Sequence, residues 1–302
     1  MKILLLGGNG QVGHELRRSL APLGDVVVTT RAGELPEGGA CEALDLHAPA
    51  TFAALFDRVA PDVVVNATAH TAVDRAESEP ELAQRINTDA PARLAAACAR
   101  REAMLVHYST DYVFDGRGKR PIREDDATGP INVYGRSKLA GEEAIRASGV
   151  RHRILRTAWV YGARGQNFLR TALRLAPERD ELRIVNDQVG SPTPARWLAS
   201  MTALSLVKRP EAEGTWHVVA DGECSWHEFA KAIYGDALVA GLIARAPKLI
   251  GIPSSEYPTK ARRPSYSRLD TAKFERDFGL RLPDWRVGLR EIIGEIAEAK
   301  NA

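Results

Sequence analysis

Three cysteines, Cys41, Cys98 and Cys224, are all that this chain of 302 residues contains, and no two share a C-x-x-C spacing. An odd number at such separations offers neither a disulfide framework nor a thiolate metal site, and it points to a reducing compartment. Charge of one sign is equally scarce: the formal net charge is +2 and no basic block is present, so nucleic-acid and membrane-surface binding have no support in composition. No apolar run approaches the length of a membrane span. The apolar start Met1-Lys2-Ile3-Leu4-Leu5-Leu6 is too short for a signal sequence and leads into glycines, not a cleavage site. His217 and His227 lack the spacing of metal ligands, so no metal is expected from the pattern. No repeat or low-complexity tract appears. These absences predict a cytoplasmic globular protein, and its length allows one large domain or two interlocked ones.

What is present begins with Lys2 to Leu6, a short apolar run that ends in Gly7-Gly8-Asn9-Gly10-Gln11-Val12-Gly13 and continues into the helix-like His14 to Leu20. The glycines read as G-x-x-G-x-x-G from Gly7, Gly10 and Gly13, or as G-x-G-x-x-G from Gly8. Either spacing lets the backbone approach a pyrophosphate whose charge meets a helix N-terminus. An ordinary glycine-rich turn is the bland alternative. The next strand, Asp25 to Thr30, ends at Arg31, where an acidic residue would bond the ribose of NAD and a basic one accommodates the phosphate of NADP. Arg31 therefore favours NADPH and leaves NADH open; a solvated loop arginine is the competing account. A helix over Pro49 to Val59 leads to the Val-rich strand Pro61 to Ala67, which delivers Asn66-Ala67-Thr68-Ala69 to the edge where open α/β sheets hold ligands. Asp45, in Leu44-Asp45-Leu46, faces the adenine in one reading and caps a helix in another.

The segment from Glu79 to Arg101 reads as one amphipathic helix bent at Pro91. Ala103 to Tyr108 is the next strand and brings Ser109-Thr110-Asp111-Tyr112 to the same edge. The turn-rich stretch Asp115 to Pro130 could cover the site. Tyr134-Gly135-Arg136-Ser137-Lys138 then places a phenol and an ammonium four residues apart, on one face of a helix starting near Val133. A cation beside a phenol lowers its pKa from about 10, which predicts a tuned proton donor at Tyr134. Further strands are expected at Val150 to Leu155, Leu182 to Val185 and Thr215 to Val219, with helices at Ala195 to Leu206 and near Trp285 to Ala297. Arg262-Arg263 could grip a diphosphate or be merely solvated.

Together these motifs, with Thr157-Ala158-Trp159-Val160-Tyr161-Gly162 and Asn186-Asp187-Gln188-Val189-Gly190-Ser191-Pro192-Thr193, resemble the extended short-chain dehydrogenases/reductases, and within them the dTDP-4-dehydrorhamnose reductase family. The resemblance implies an α/β fold: a doubly wound parallel Rossmann sheet over residues 1–157 with a return segment at about 190–222, and a smaller interleaved substrate part over most of 158–302. It implies a catalytic set of Thr110, Tyr134 and Lys138, and a dTDP-sugar held beside Thr110, Asp111 and Trp159. The cofactor would contact Gly7, Gly10, Gln11, Val12, Gly13, Arg31, Asp45, Leu46, Ala67, Thr68, Ala69, Tyr108, Tyr134 and Lys138. Three departures stand out: His70 where relatives commonly carry tyrosine, Tyr266 where they commonly carry asparagine, and Arg196 at about the place of a glutamate that helps hold magnesium in some dimeric relatives. Magnesium and a homodimer thus stay open. So do two other functions, a different sugar-nucleotide 4-ketoreductase or epimerase, and a non-catalytic NADP-binding subunit like that of methionine adenosyltransferase.

Overall fold

The computed structural model describes residues 1–45 and 49–301. Its centre is a parallel sheet of β1 (Lys2–Leu6), β2 (Asp25–Thr30), β3 (Glu42–Ala43), β4 (Val63–Asn66), β5 (Met104–Thr110) and β6 (His152–Thr157), closed on one side by the edge strand Gly214–His217. From that edge the spatial order is β6, β5, β4, β1, β2, β3, and every neighbouring pair is parallel. Because side chains alternate across a strand, Ile3, Leu5, Val63, Val65, Met104 and Val106 pack on one face, with Leu16 and Leu198 among their neighbours. Leu4, Leu6, Val64 and Leu105 pack on the other with Phe56, Leu94 and Ala97. Burial on both faces is why these strands read as unbroken apolar runs.

The chain runs outward from β1 to β2 and β3, then returns to β4 on the other flank of β1. That reversal opens a crevice beyond the carboxyl ends of β1 and β4. The helix Ala195–Lys208 packs against Gln11–Leu20, and the edge strand returns the chain to β6. The remaining C-terminal elements include a parallel pair, Glu181–Val185 with Lys248–Ile252, and the helices Phe168–Glu178, Trp226–Val239 and Trp285–Asn301, packed around Phe229, Ile233 and Trp285.

The expected single helix from Glu79 to Arg101 is corrected: Pro80–Gln84 and Ala90–Arg100 are α-helical, and Arg85–Asp89 between them is a π-turn. Pro91 has no N–H to return to the carbonyl of Asn87, so the α ladder fails one turn before it. The Asn87 side chain accepts from the His70 N–H (2.8 Å) and donates to the His70 carbonyl (3.1 Å) and Ser137 Oγ (3.0 Å), which ties this turn to the Tyr134 helix. His70 is thereby buried in a structural bridge, and the adjacent Thr71 lines the crevice instead.

Candidate active site

Two adjoining pockets of about 350 and 410 Å³ occupy the crevice and share Gly10, Ala67, Thr68 and Ala69. The first is bounded by Gly7, Asn9, Thr30, Arg31 and Asp45. Gly10, which borders both pockets, is extended at the start of the Gln11–Leu20 helix, and no side chain caps that helix start. A Cβ on Gly13 would lie 2.0 Å from the Gly7 carbonyl oxygen, so only glycine lets the helix seat so closely on the turn. Uncapped amides above a glycine cradle fit a pyrophosphate. Gly13 therefore acts through packing and does not itself line the pocket. Arg31 is exposed at the rim. Leu46 lies outside the described residues.

The second pocket collects Gln11, Val12, Tyr108, Thr110, Asp111, Tyr134, Lys138 and Trp159. Thr110 ends β5; its Oγ1 accepts from the Tyr112 amide (3.2 Å), opening the short turn Asp111–Val113, and donates to Asp111 Oδ1 (3.0 Å). Asp111 is buried, and burial pushes its carboxyl up to about 6, opposed by the hydroxyls of Ser267 and Thr110. The Tyr134 helix, Val133–Ala147, starts where it does because Asn132 Oδ1 accepts from the Gly135 amide (2.7 Å) while its Nδ2 donates to the Arg262 carbonyl (2.7 Å). Gly135 is required there: a Cβ would meet the Tyr112 carbonyl oxygen at 2.2 Å. The Tyr134 ring lies edge-on to Tyr112 with centroids 5.7 Å apart.

Tyr134 and Lys138 both reach the pocket, and burial acts on the phenol against the lowering expected from their spacing. Burial pushes Tyr134 up to about 12, opposed by the Thr110 hydroxyl facing it and reinforced by Asp111. The lysine is drawn instead to β5, where Nζ donates to the Tyr108 carbonyl (2.6 Å) and lies 3.2 Å from His107 Nε2. Burial lowers Lys138 to about 8, with Glu142 opposing. Shared helical facing brings two side chains to one pocket; hydrogen-bond partners on a neighbouring strand decide where an ammonium points. Tyr108 lines the pocket, and its hydroxyl bonds Thr202 Oγ1 on the helix Ala195–Lys208 (2.6 Å).

Trp159 has a left-handed backbone, φ 47°, and stacks on Trp226 with centroids 3.5 Å apart and planes 7° from parallel. Trp226 and Phe168 in turn line a third cavity of about 860 Å³ that also includes Arg183, Arg262 and Arg263. The Arg262-Arg263 pair divides: Arg263 binds Asp74 (2.7 Å), while Arg262 is exposed on the cavity wall. Sequence reasoning missed Trp226, Phe168 and His107. A histidine inside an otherwise apolar strand was the available signal for His107, whereas the tryptophan pair is 67 positions apart and left none.

Gln11 also clasps the loop beyond β6: its Oε1 accepts from Asn167 Nδ2 (2.8 Å) and its Nε2 donates to the Gln166 carbonyl (3.2 Å). Arg196 pairs with Glu295 and lies 3.7 Å from Glu15. Among the described residues no cluster of His, Cys, Asp and Glu suits a metal ion, and no helix is long and apolar enough to cross a membrane. His217 is buried, driven down to about 3 by burial, with its backbone amide on Glu124. Tyr266 donates to Glu223 (2.8 Å).

The model of the RmlD substrate binding domain family matches residues 1–298. The dTDP-4-dehydrorhamnose reductase of Escherichia coli (strain K12) is 46% identical over 299 residues, 98% of each chain. Among solved structures, a dTDP-4-dehydrorhamnose reductase of Clostridium acetobutylicum superposes with a TM-score of 0.89 at 37% identity, covering 98% of this chain and 99% of that one. The dTDP-4-dehydrorhamnose reductase of Bacillus anthracis in complex with NADP gives 0.88 at 33% identity, covering 98% and 100%.

Proposed function

Given that the chain belongs to the dTDP-4-dehydrorhamnose reductase family of NADP-dependent oxidoreductases, we propose that it uses NADPH to reduce the C4 ketone of dTDP-4-dehydro-L-rhamnose, and that Tyr134 supplies the proton. The observation that carries this reading is the meeting of Thr110, Tyr134 and Lys138 on one pocket that opens into the glycine-cradled groove. NADPH, when bound, supplies the hydride. The chain's own task is to orient the ketone and to protonate the oxygen. Thr110 donates to that oxygen and holds it beside the phenol. Tyr134, protonated at every pH near neutrality, gives up its proton as negative charge develops. Lys138 holds the cofactor ribose, and Asp111 with Trp159 flanks the sugar.

Residues 1–157, with the return through about 190–222, form the cofactor part, and most of 158–302 forms the substrate part. The diphosphate and base of the substrate occupy the 860 Å³ cavity, where Arg262 is available to the diphosphate and Phe168 to the base. The deciding experiment is NADPH oxidation by the purified protein with dTDP-4-dehydro-L-rhamnose, with product identification. Turnover to dTDP-L-rhamnose is expected; no turnover, or a C4 epimer as product, would overturn the assignment.

A further inference from the structure

Behind the pocket, four side chains form a chain of hydrogen bonds whose polarity can be read from one end to the other. The Thr68 amide and Oγ1 both approach Asn66 Oδ1, at 3.1 and 2.6 Å. An amide N–H can only donate, so that atom of Asn66 is the oxygen and Nδ2 faces the other way. Nδ2 lies 3.1 Å from His107 Nδ1. Since NH₂ can only donate, Nδ1 carries the lone pair, and in a neutral imidazole the proton then sits on Nε2. His107 is wholly buried and held neutral, far below its ordinary value, by that burial and by Lys138. Its Nε2 is 3.2 Å from Lys138 Nζ, which also donates to the Tyr108 carbonyl. Between Nε2–H and an ammonium there would be two donors and no acceptor. Between Nε2–H and an amine there is a hydrogen bond.

We propose that His107 is a positioning residue for Lys138: held by Asn66 in the Nε2–H tautomer, it presents a donor to the lysine nitrogen and disposes Lys138 to give its proton away. The groups around Lys138 are accounted for on each side. From its own helix come Tyr134 and Glu142, and the latter favours the ammonium. From β5 come His107 and the Tyr108 carbonyl. From β6 comes Arg156, which engages Glu142 through two hydrogen bonds of 2.9 and 2.7 Å and so draws off part of its influence. The inference rests on the proposed reaction only for its purpose: the proton that Tyr134 gives to the sugar oxygen is replaced from Lys138, and Lys138 regains its own from water.

The test reads the two residues directly, without substrate, so its outcome is independent of which sugar is reduced. In protein labelled with ¹⁵N-histidine and ¹⁵N-lysine, NMR is expected to show a protonated Nε2 and a bare Nδ1 for His107, and a Lys138 titration close to neutrality, assigned by its loss in Lys138→Met. Asn66→Asp offers the imidazole an acceptor and is expected to invert the tautomer and raise the Lys138 titration by about one unit or more. Asn66→Leu removes the amide donor without adding charge and is expected to raise it as well, which separates tautomer from charge and covers the case in which one variant does not fold. A proton on Nδ1 in the wild type would overturn the proposal, as would a Lys138 titration unmoved in whichever variant folds.

Discussion

Tyr134 lies in its pocket edge-on to Tyr112, where burial favours the neutral phenol. Replacing it by phenylalanine keeps the ring against Tyr112 and removes only the proton. Turnover is expected to fall by about 10²–10⁴-fold, the usual worth of a general acid. NADPH affinity, measured by fluorescence titration, is expected to stay within a few-fold; an unchanged kcat would remove Tyr134 from the proton-donor role. Lys138 carries a different signature. Its titration is lowered from 10.5 to about 8 by burial, so below pH 8 both folded and unfolded chains hold the proton and the folded state bears the whole penalty of a buried charge. Between about 8 and 10.5 only the unfolded chain still binds it, and stability contributed by this residue rises with pH. Lys138→Met is therefore expected to raise the melting temperature at pH 7 and to lose most of that gain by pH 10, as calorimetry at the two values would show. Such a trade of stability for activity belongs to a functional site.

The Tyr134 helix is the element on which the site turns, and two of its positions fix where it begins. Asn132 caps it and at the same time holds the Arg262 carbonyl, linking the helix start to the wall of the large cavity. Asn132→Ala is expected to cost about 1 kcal/mol or somewhat more in chemical denaturation. Gly135→Ala would drive a methyl against the Tyr112 carbonyl oxygen. It is expected to destabilise by about 1–3 kcal/mol and to lower kcat more than it alters the NADPH dissociation constant, because the displaced helix carries Tyr134 away from Thr110. Equal effects of Gly135→Ala and of an alanine at an exposed position such as Arg136 would refute that account. The π-turn at Arg85–Asp89 serves the same helix from behind, through Asn87 and Ser137.

Across the whole molecule, the N-terminal and C-terminal portions are joined by polar clasps as well as by shared core. Gln11 with Asn167 ties the glycine turn to the helix that carries Phe168, and Asp74 with Arg263 ties the Val73–Ser78 helix to the cavity wall. Arg196 places its guanidinium near two carboxylates, Glu15 and Glu295, from the first and last helices. With that cation built in, EDTA is expected to leave the melting temperature and the elution volume unchanged, whereas Arg196→Glu is expected to make the melting temperature rise with added magnesium. A magnesium response in the wild type would show that the guanidinium does not take the place of the metal.

The glycine turn, the apolar strands, and the small polar residues at their carboxyl ends were legible from the chain alone, because each depends on local pattern: unbroken apolar runs, tight turns, and a helix face. Family motifs extended that reading to the substrate. What local spacing could not decide was anything set by partners distant in the chain. Lys138 shares a helix face with Tyr134, yet a buried ammonium seeks its nearest acceptor, and that is the Tyr108 carbonyl on β5. Trp159 and Trp226 stack only because two segments far apart are packed together, and the tautomer of His107 follows from an asparagine on the neighbouring strand. The sequence by itself determined which groups reach the crevice; the tertiary structure decided which of them touch, and so which way each proton points.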